Sequence, residues 1–305
     1  MSNDQLQRAL RSLDGLSVGD AFGEQFFGEA QAVRSRILAR VVPPGAWRCT
    51  DDTVMAIAIV EVLARNGFLN QAELARRFAE RYRFDPARGY GGTAHEILGR
   101  IAMGVPWEVA AAAPFDGQGS MGNGGAMRAA PVGAYFAGDM TVVREAAAAS
   151  ARITHAHPDG QAGAIAVAVA TAWMAAGGTE PADLFATVLR HTPLGDTHSG
   201  IEHASQLSRQ TPPREAALIL GSGARVISSD TVPFCLWSAA AQLGNYEAAL
   251  WSTVAGLGDR DTTCAIVGGM MAAHPDVAVP AAWLSAREPP GTFRPVWREP
   301  GFVVA

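Results

Sequence analysis

Lysine is missing from the chain: all 24 basic residues among its 305 are arginine. Its absence removes Schiff-base chemistry, a lysine general base and the phosphate-binding lysine of a P-loop. Cysteine is scarce. Cys49, Cys235 and Cys264 are odd in number, far apart and without CxxC or Cys/His metal spacing, which fits free thiols in a reducing cytoplasm. Long apolar runs are lacking too. The longest, residues 162–176, is mostly alanine and is interrupted by Gly163 and Thr171; it falls short of the roughly 20 residues of a spanning helix, so no membrane segment is expected. The first residues, Met-Ser-Asn-Asp-Gln, have neither the basic start nor the apolar core of a signal peptide. Basic runs are missing as well. A net charge of −5 and scattered arginines speak against nucleic acid as a partner.

What is present points to a packed helical protein. With 49% hydrophobic and 17% charged residues, the composition supports a large core. No Gly/Ser/Pro-rich or charged linker divides it, so one domain is expected over residues 1–286, with a proline-rich tail, 287–305, packed on it or fraying from it. Alanine occupies 58 positions, mostly in segments of ten or more residues with apolar spacings of three and four. Helices are predicted over 4–26, 51–66, 70–82, 92–103, 107–112, 125–136, 141–153, 159–176, 181–190, 200–207, 213–220, 231–243, 246–257 and 262–273. Alternating β-branched residues are confined to Val41-Val42 and Phe302-Val303-Val304, so the fold class is all-α. Residues 114–124, PFDGQGSMGNG, read as a loop.

The strongest local signal is Thr50-Asp51-Asp52-Thr53, four oxygen-bearing residues opening an apolar helix. Capping needs one or two of them and contributes about 1 kcal/mol. The same grammar returns in Gly258-Asp259-Arg260-Asp261-Thr262-Thr263. If the residues before that helix are extended, Asp259 and Asp261 face one side and Arg260 the other. Carboxylates and threonine hydroxyls form an all-oxygen set suited to Mg²⁺, Mn²⁺ or Ca²⁺ and unsuited to zinc. Four aspartates carry −4, which two divalent cations would neutralise. A third Asp-Thr pair, Asp230-Thr231, reads as simple capping. Gly119-Ser120-Met121-Gly122-Asn123-Gly124 could bring backbone N–H groups to an anion, or serve only as a turn. In Thr154-His155-Ala156-His157-Pro158-Asp159 either histidine suits capping or a polar contact to a ligand. Asp20, in Gly19-Asp20-Ala21-Phe22-Gly23, reads as a buried acid on a helix packed through its glycines.

Taken together and in this order, GDAFG (19–23), TDDT (50–53), GNGGAMR (122–128), THAHPD (154–159) and GDRDTT (258–263) resemble the ADP-ribosylglycohydrolase family, which includes dinitrogenase-reductase-activating glycohydrolase and the ADP-ribosyl-acceptor hydrolases. The resemblance implies a single-domain orthogonal helical bundle with two Mg²⁺ or Mn²⁺ ions at the base of an ADP-ribose cleft. Carried over residue by residue, Thr50, Asp51, Asp52, Asp259, Asp261 and Thr262 would be the metal ligands. Gly119, Ser120, Met121, Gly122 and Asn123 would cradle the ribose and pyrophosphate, and His155 would contact the phosphate or ribose. The activity implied is metal-dependent hydrolysis of the glycosidic bond between ADP-ribose and an acceptor, a protein side chain or small molecule, with nucleic acid a partner only as an ADP-ribosylated acceptor. Asp51 would then take the proton of the attacking water.

Two positions depart from the pattern. Many relatives carry a glutamate seven residues after the aspartate of the GDA segment, where this chain has Phe27; others lack it too. Relatives usually place Thr or Ser where Arg260 stands; by alternation it faces away from the ions, which favours a salt-bridging surface residue, while an Arg260 that reached the cleft could bind phosphate bidentately. Two other readings stay open: a member that binds ADP-ribose without cleaving it, and a two-metal hydrolase of another nucleoside-diphosphate substrate.

Overall fold

The computed structural model describes residues 3–289 and Gly291. Its helices follow in order as α1 (Asn3–Glu24), α2 (Ala30–Leu38), α3 (Asp51–Asn66), α4 (Gln71–Phe84), α5 (Gly92–Ala102), α6 (Trp107–Ala112), α7 (Ala130–Tyr135) and α8 (Met140–Arg152). Then come α9 (Pro158–Ala175), α10 (Pro181–His191), α11 (Asp196–Gln206), α12 (Pro213–Leu220), α13 (Ser228–Ala241), α14 (Tyr246–Val254), α15 (Arg260–Ala273) and α16 (Ala281–Ala286). Among the described residues there is no strand, only isolated bridges at Trp47–Arg287 and Gly122–Ile227. The chain is all-α. Val41-Val42 lies in coil, and Phe302-Val303-Val304 falls outside the described residues, as does the tail beyond Gly291.

Local chemistry explains most boundaries. Asn70, Asp139 and Asn245 precede α4, α8 and α14, and each accepts a hydrogen bond from a backbone N–H of the first turn. Gly67 ends α3 in the left-handed region at φ 76°, its N–H returning to the Leu63 carbonyl. The segment expected as one helix over 125–136 divides: residues Asn123–Gly125 form a tight 3-10 turn, and α7 starts only at Ala130.

Two long helices, α1 and α15, lie backbone to backbone. A Cβ at Gly15 would sit 2.4 Å from the Gly268 carbonyl oxygen, one at Gly19 2.1 Å from that of Cys264, and one at Gly23 2.2 Å from that of Arg260. No side chain fits between them. The stripe thus runs to the first residue of α15 and fixes where its acidic start lies. Beneath this pair, Phe22, Phe26, Trp47, Trp251 and Trp283 form an aromatic cluster, with Phe22 stacked on Trp283 at 4.6 Å. Helix α9, rich in alanine with valine and glycine, is buried around nearly its whole circumference. It is the expected inner helix and not a membrane span: no helix among the described residues is long and apolar enough to cross a bilayer.

Gly19→Ala is expected to destabilise the protein by about 3 kcal/mol in urea denaturation, since α1 and α15 must separate to admit the methyl. Gly99→Ala, in α5 with open space around its Cβ position, is expected to stabilise by about 0.5–1 kcal/mol. Equal effects at the two sites would refute the close-contact account.

Candidate active site

The start of α3 is capped from another helix. Asp20 of α1, fully buried, accepts hydrogen bonds from the backbone N–H groups of Thr50 and Thr53 and from both threonine hydroxyls. Thr50, at the N-cap, makes no capping bond with its own side chain. Asp51 and Asp52 are therefore free of the capping duty that four polar residues at a helix start first suggest. Thr50 Oγ1 lies 2.8 Å from Asp20 Oδ1 and 2.9 Å from Asp52 Oδ2, with a single hydrogen to give to the two carboxylates. Asp52 Oδ1 is buried without a partner.

The start of α15 is built alike. Asp259 at its N-cap makes no side-chain cap; its N–H donates to the Ser222 carbonyl at 3.0 Å, and its Oδ2 accepts from Asn123 Nδ2 at 2.7 Å. Asp261 Oδ1 is buried and unpartnered. The alternation argument holds in outcome: Asp259, Asp261 and Thr262 line one cavity, and Arg260 does not. Arg260 is not a salt-bridging residue, however. It forms no ion pair among the described residues; its guanidinium donates to the carbonyls of Phe26 and Leu257 and lies 4.8 Å from the Phe27 ring centroid. The two positions that depart from the family pattern thus touch each other, tying the end of α1 to the start of α15.

The cavity measures about 620 Å³ and joins the acidic ends to the glycine loop. Ser120, Met121, Gly122 and Asn123 line it, with His155, Asp51 and Arg128. Gly119 instead faces Ala156 and His157 at φ 76°, a backbone turn that a side chain would obstruct. Thr50 and Asp52 lie outside the cavity lining. Two loop N–H groups are already spent: Gly122 donates to Ser120 Oγ and Asn123 to the Val226 carbonyl. The Asp-Thr pair at 230–231 stays out of the cavity, yet Thr231 Oγ1 accepts from Asn123 Nδ2 at 3.1 Å and helps aim it at Asp259.

The two histidines divide their roles. His157 Nδ1 accepts from Asp159 N–H and caps α9, with Pro158 at the first helical position. His155 borders the cavity, its Nδ1 2.8 Å from Thr154 Oγ1, which in turn accepts from Arg128 Nη2 at 2.8 Å. Arg128 is fully buried, its guanidinium 4.5 Å from the Phe78 ring centroid. Of the aromatic residues flanking the motifs, Trp47 and Tyr90 are buried and Phe115 stands 59% exposed at the cavity wall.

Electrostatically the site is starved of positive charge. Burial, then mutual repulsion, pushes the carboxyls of Asp51, Asp52 and Asp261 upward, and burial raises Asp20 despite its four donors. Burial drives Arg128 down to about 9, against the pull of Asp51. Burial and then the Arg128 charge lower His155 to about 3, so it is neutral near pH 7. Among the described residues no three His, Cys, Asp or Glu side chains stand spaced to hold a metal ion. The donor chemistry fits a hard cation nonetheless, because Asp52 and Asp261 each keep a buried carboxylate oxygen without a hydrogen-bond partner and belong to the two acidic helix starts.

Three residues that organise the site have no site role in the sequence reading: Asp20, read there only as a buried acid, Thr231, read as capping, and Arg128. Asp20 and Arg128 sit inside quoted motifs, and an acid or arginine between small apolar residues was the available signal.

Asp20→Ala is expected to cost about 3 kcal/mol in chemical denaturation, well above an ordinary cap, because it strands several buried donors at once. His155 supplies a second measurement. The unfolded chain takes up a proton near pH 6.5 that the folded site refuses until about 3, so this residue's stabilisation is present above 6.5 and lost as pH falls. The melting-temperature gap between wild type and His155→Gln should narrow from pH 7 to pH 4; a constant gap would contradict the assignment.

A family model for ADP-ribosylglycohydrolases matches residues 1–298. The chain is 34% identical over 179 residues to human ADP-ribosylhydrolase ARH3, covering 54% of this chain and 49% of that one. It is 26% identical to the zebrafish (Danio rerio) protein of the same name over 91% of this chain and 85% of that one. The ADP-ribosyl-[dinitrogen reductase] glycohydrolase of Rhodospirillum rubrum is 32% identical over 50% of this chain and 52% of its own. Against several of these relatives, including the human one, the match spans only about half of their length. A solved structure described as an ADP-ribosylglycohydrolase-related protein complex superposes with a TM-score of 0.69 at 25% identity, covering 95% of each chain. With the family model matched over residues 1–298, that fold, and four of the five motifs meeting at one cavity while Asp20 of the fifth caps α3, the chain belongs to the ADP-ribosylglycohydrolase family.

Proposed function

We propose that the protein hydrolyses the glycosidic bond between ADP-ribose and an acceptor, with two divalent cations, Mg²⁺ or Mn²⁺, as cofactors. One observation carries the reading: two acidic helix starts, short of positive charge, share a cavity with a glycine loop, a neutral histidine and a buried arginine. Thr50, Asp51, Asp52, Asp259, Asp261 and Thr262 are the residues that would hold the ions. Bound there, the cations would supply Lewis acidity and charge neutralisation at the ribose end of the cavity.

The chain's own residues account for the rest. Asp51 lines the cavity, and with its carboxylate ionised beside the cations it would be placed to take the proton of an attacking water. The water oxygen bonds to the anomeric carbon, the bond to the acceptor breaks with its electron pair, and the proton follows to the departing acceptor. Positive charge developing on the ribose is stabilised by the surrounding carboxylates. Ser120 to Asn123 and His155 border the pyrophosphate end, and Phe115 offers an exposed ring face for a base. Asn123, tied to Asp259, couples the two ends.

An ADP-ribosylated peptide incubated with the protein and Mg²⁺ or Mn²⁺ should yield free ADP-ribose by chromatography, and chelation should stop it. The same cations should raise the melting temperature of wild type and leave Asp261→Ala unmoved. Asp51→Asn should keep a metal-dependent melting shift while losing about 100-fold or more in kcat. AMP or free phosphate in place of ADP-ribose would overturn the bond assignment, and full activity in Asp51→Asn would overturn the role given to that residue.

A further inference from the structure

Behind His155 lies a chain of hydrogen bonds that ends on a buried cation. Arg128 Nη2 carries two hydrogens, and two acceptors stand within reach: the Ser150 carbonyl at 3.0 Å and Thr154 Oγ1 at 2.8 Å. A guanidinium only donates, so Thr154 Oγ1 accepts in that bond. The threonine's own hydrogen then needs an acceptor. Among the described residues the group recorded beside that hydroxyl, other than Arg128, is His155 Nδ1 at 2.8 Å. A nitrogen that accepts carries no hydrogen, so the ring hydrogen of a neutral imidazole sits on Nε2.

We infer that Arg128, acting through Thr154, holds His155 as the Nε2–H tautomer, a neutral hydrogen-bond donor directed at the cavity. The surroundings support this direction. A Cβ at Gly122 would lie 3.1 Å from His155 Nε2, and one at Gly124 3.2 Å; both positions are glycine, which leaves that edge of the ring clear. The buried guanidinium charge also disfavours a second proton on the ring. Arg128 and Thr154 are positioning residues, and His155 serves as a donor to an anionic or hydroxyl oxygen of the ligand and not as a base. Only the ligand half of this statement rests on the function proposed above.

The test uses nitrogen-15 spectra correlating histidine ring nitrogens with ring C–H hydrogens in the full chain without ligand, the His155 signal being assigned by its loss in His155→Gln. Wild type should show the Nε2–H pattern at pH 7. Thr154→Val should shift it towards Nδ1–H or a mixture and weaken ADP-ribose binding about tenfold by calorimetry, and Thr154→Ser should restore both. An Nδ1–H pattern in wild type, or an unchanged pattern in folded Thr154→Val, overturns the relay. The expected spectra with no ADP-ribose binding by wild type would uphold the relay and overturn the ligand reading.

Discussion

Direct backbone contact between α1 and α15 is the constraint from which the site follows. Because Gly15, Gly19 and Gly23 leave no side chain between the helices, the start of α15 has one available position. Asp20, next to Gly19 and about 100° around the helix from it, receives the start of α3. One stretch of helix therefore sets both acidic ends. A separation of the helices by the width of a methyl would shift Asp259 and Asp261 relative to Asp51 and release the cap at the same time.

The arrangement concentrates unfavourable electrostatics. Five aspartates meet in a region where Arg128 is the buried arginine on the cavity wall and Arg225 an exposed one, and unpaired buried charge is among the costliest features a fold can carry. The hydrophobic mass of α9, α13 and α15 is the counterweight. The glycine loop joins the same logic through Asn123, whose amide is shared between Asp259 and Thr231.

Legibility in the sequence tracked the range of the interactions. Alanine-rich periodicity and caps gave most helices within a few residues, because both signals are local. Helices α2 and α16 escaped: α2 buries only Val33 and Ile37 among polar neighbours, and α16 is six residues long with Trp283 alone buried. The break after Asn123–Gly125 had local markers in Gly124-Gly125 and in Pro131 at the start of α7, whereas the bond from Asn123 to Asp259, 136 residues away, had none. The paired acidic motifs were visible as motifs, whereas the cap from Asp20 was not, since it spans 30 residues and joins different helices. Alternation turns Arg260 away from the ions, but its partners, the carbonyls of Phe26 and Leu257, follow only from the fold.

The enclosure of α9 has a consequence for timing. A helix shielded on nearly all sides opens only when the molecule as a whole unfolds, so its amides belong to the slowest-exchanging class. His155 and the capping His157 stand at its N-terminal end, and Ser120 and Met121 pack on Gly160 within its first turn. One wall of the cavity is therefore mounted on the most persistent element of the fold. Such a wall keeps its shape between ligands, and a ligand that meets it spends little of its binding energy on ordering the protein.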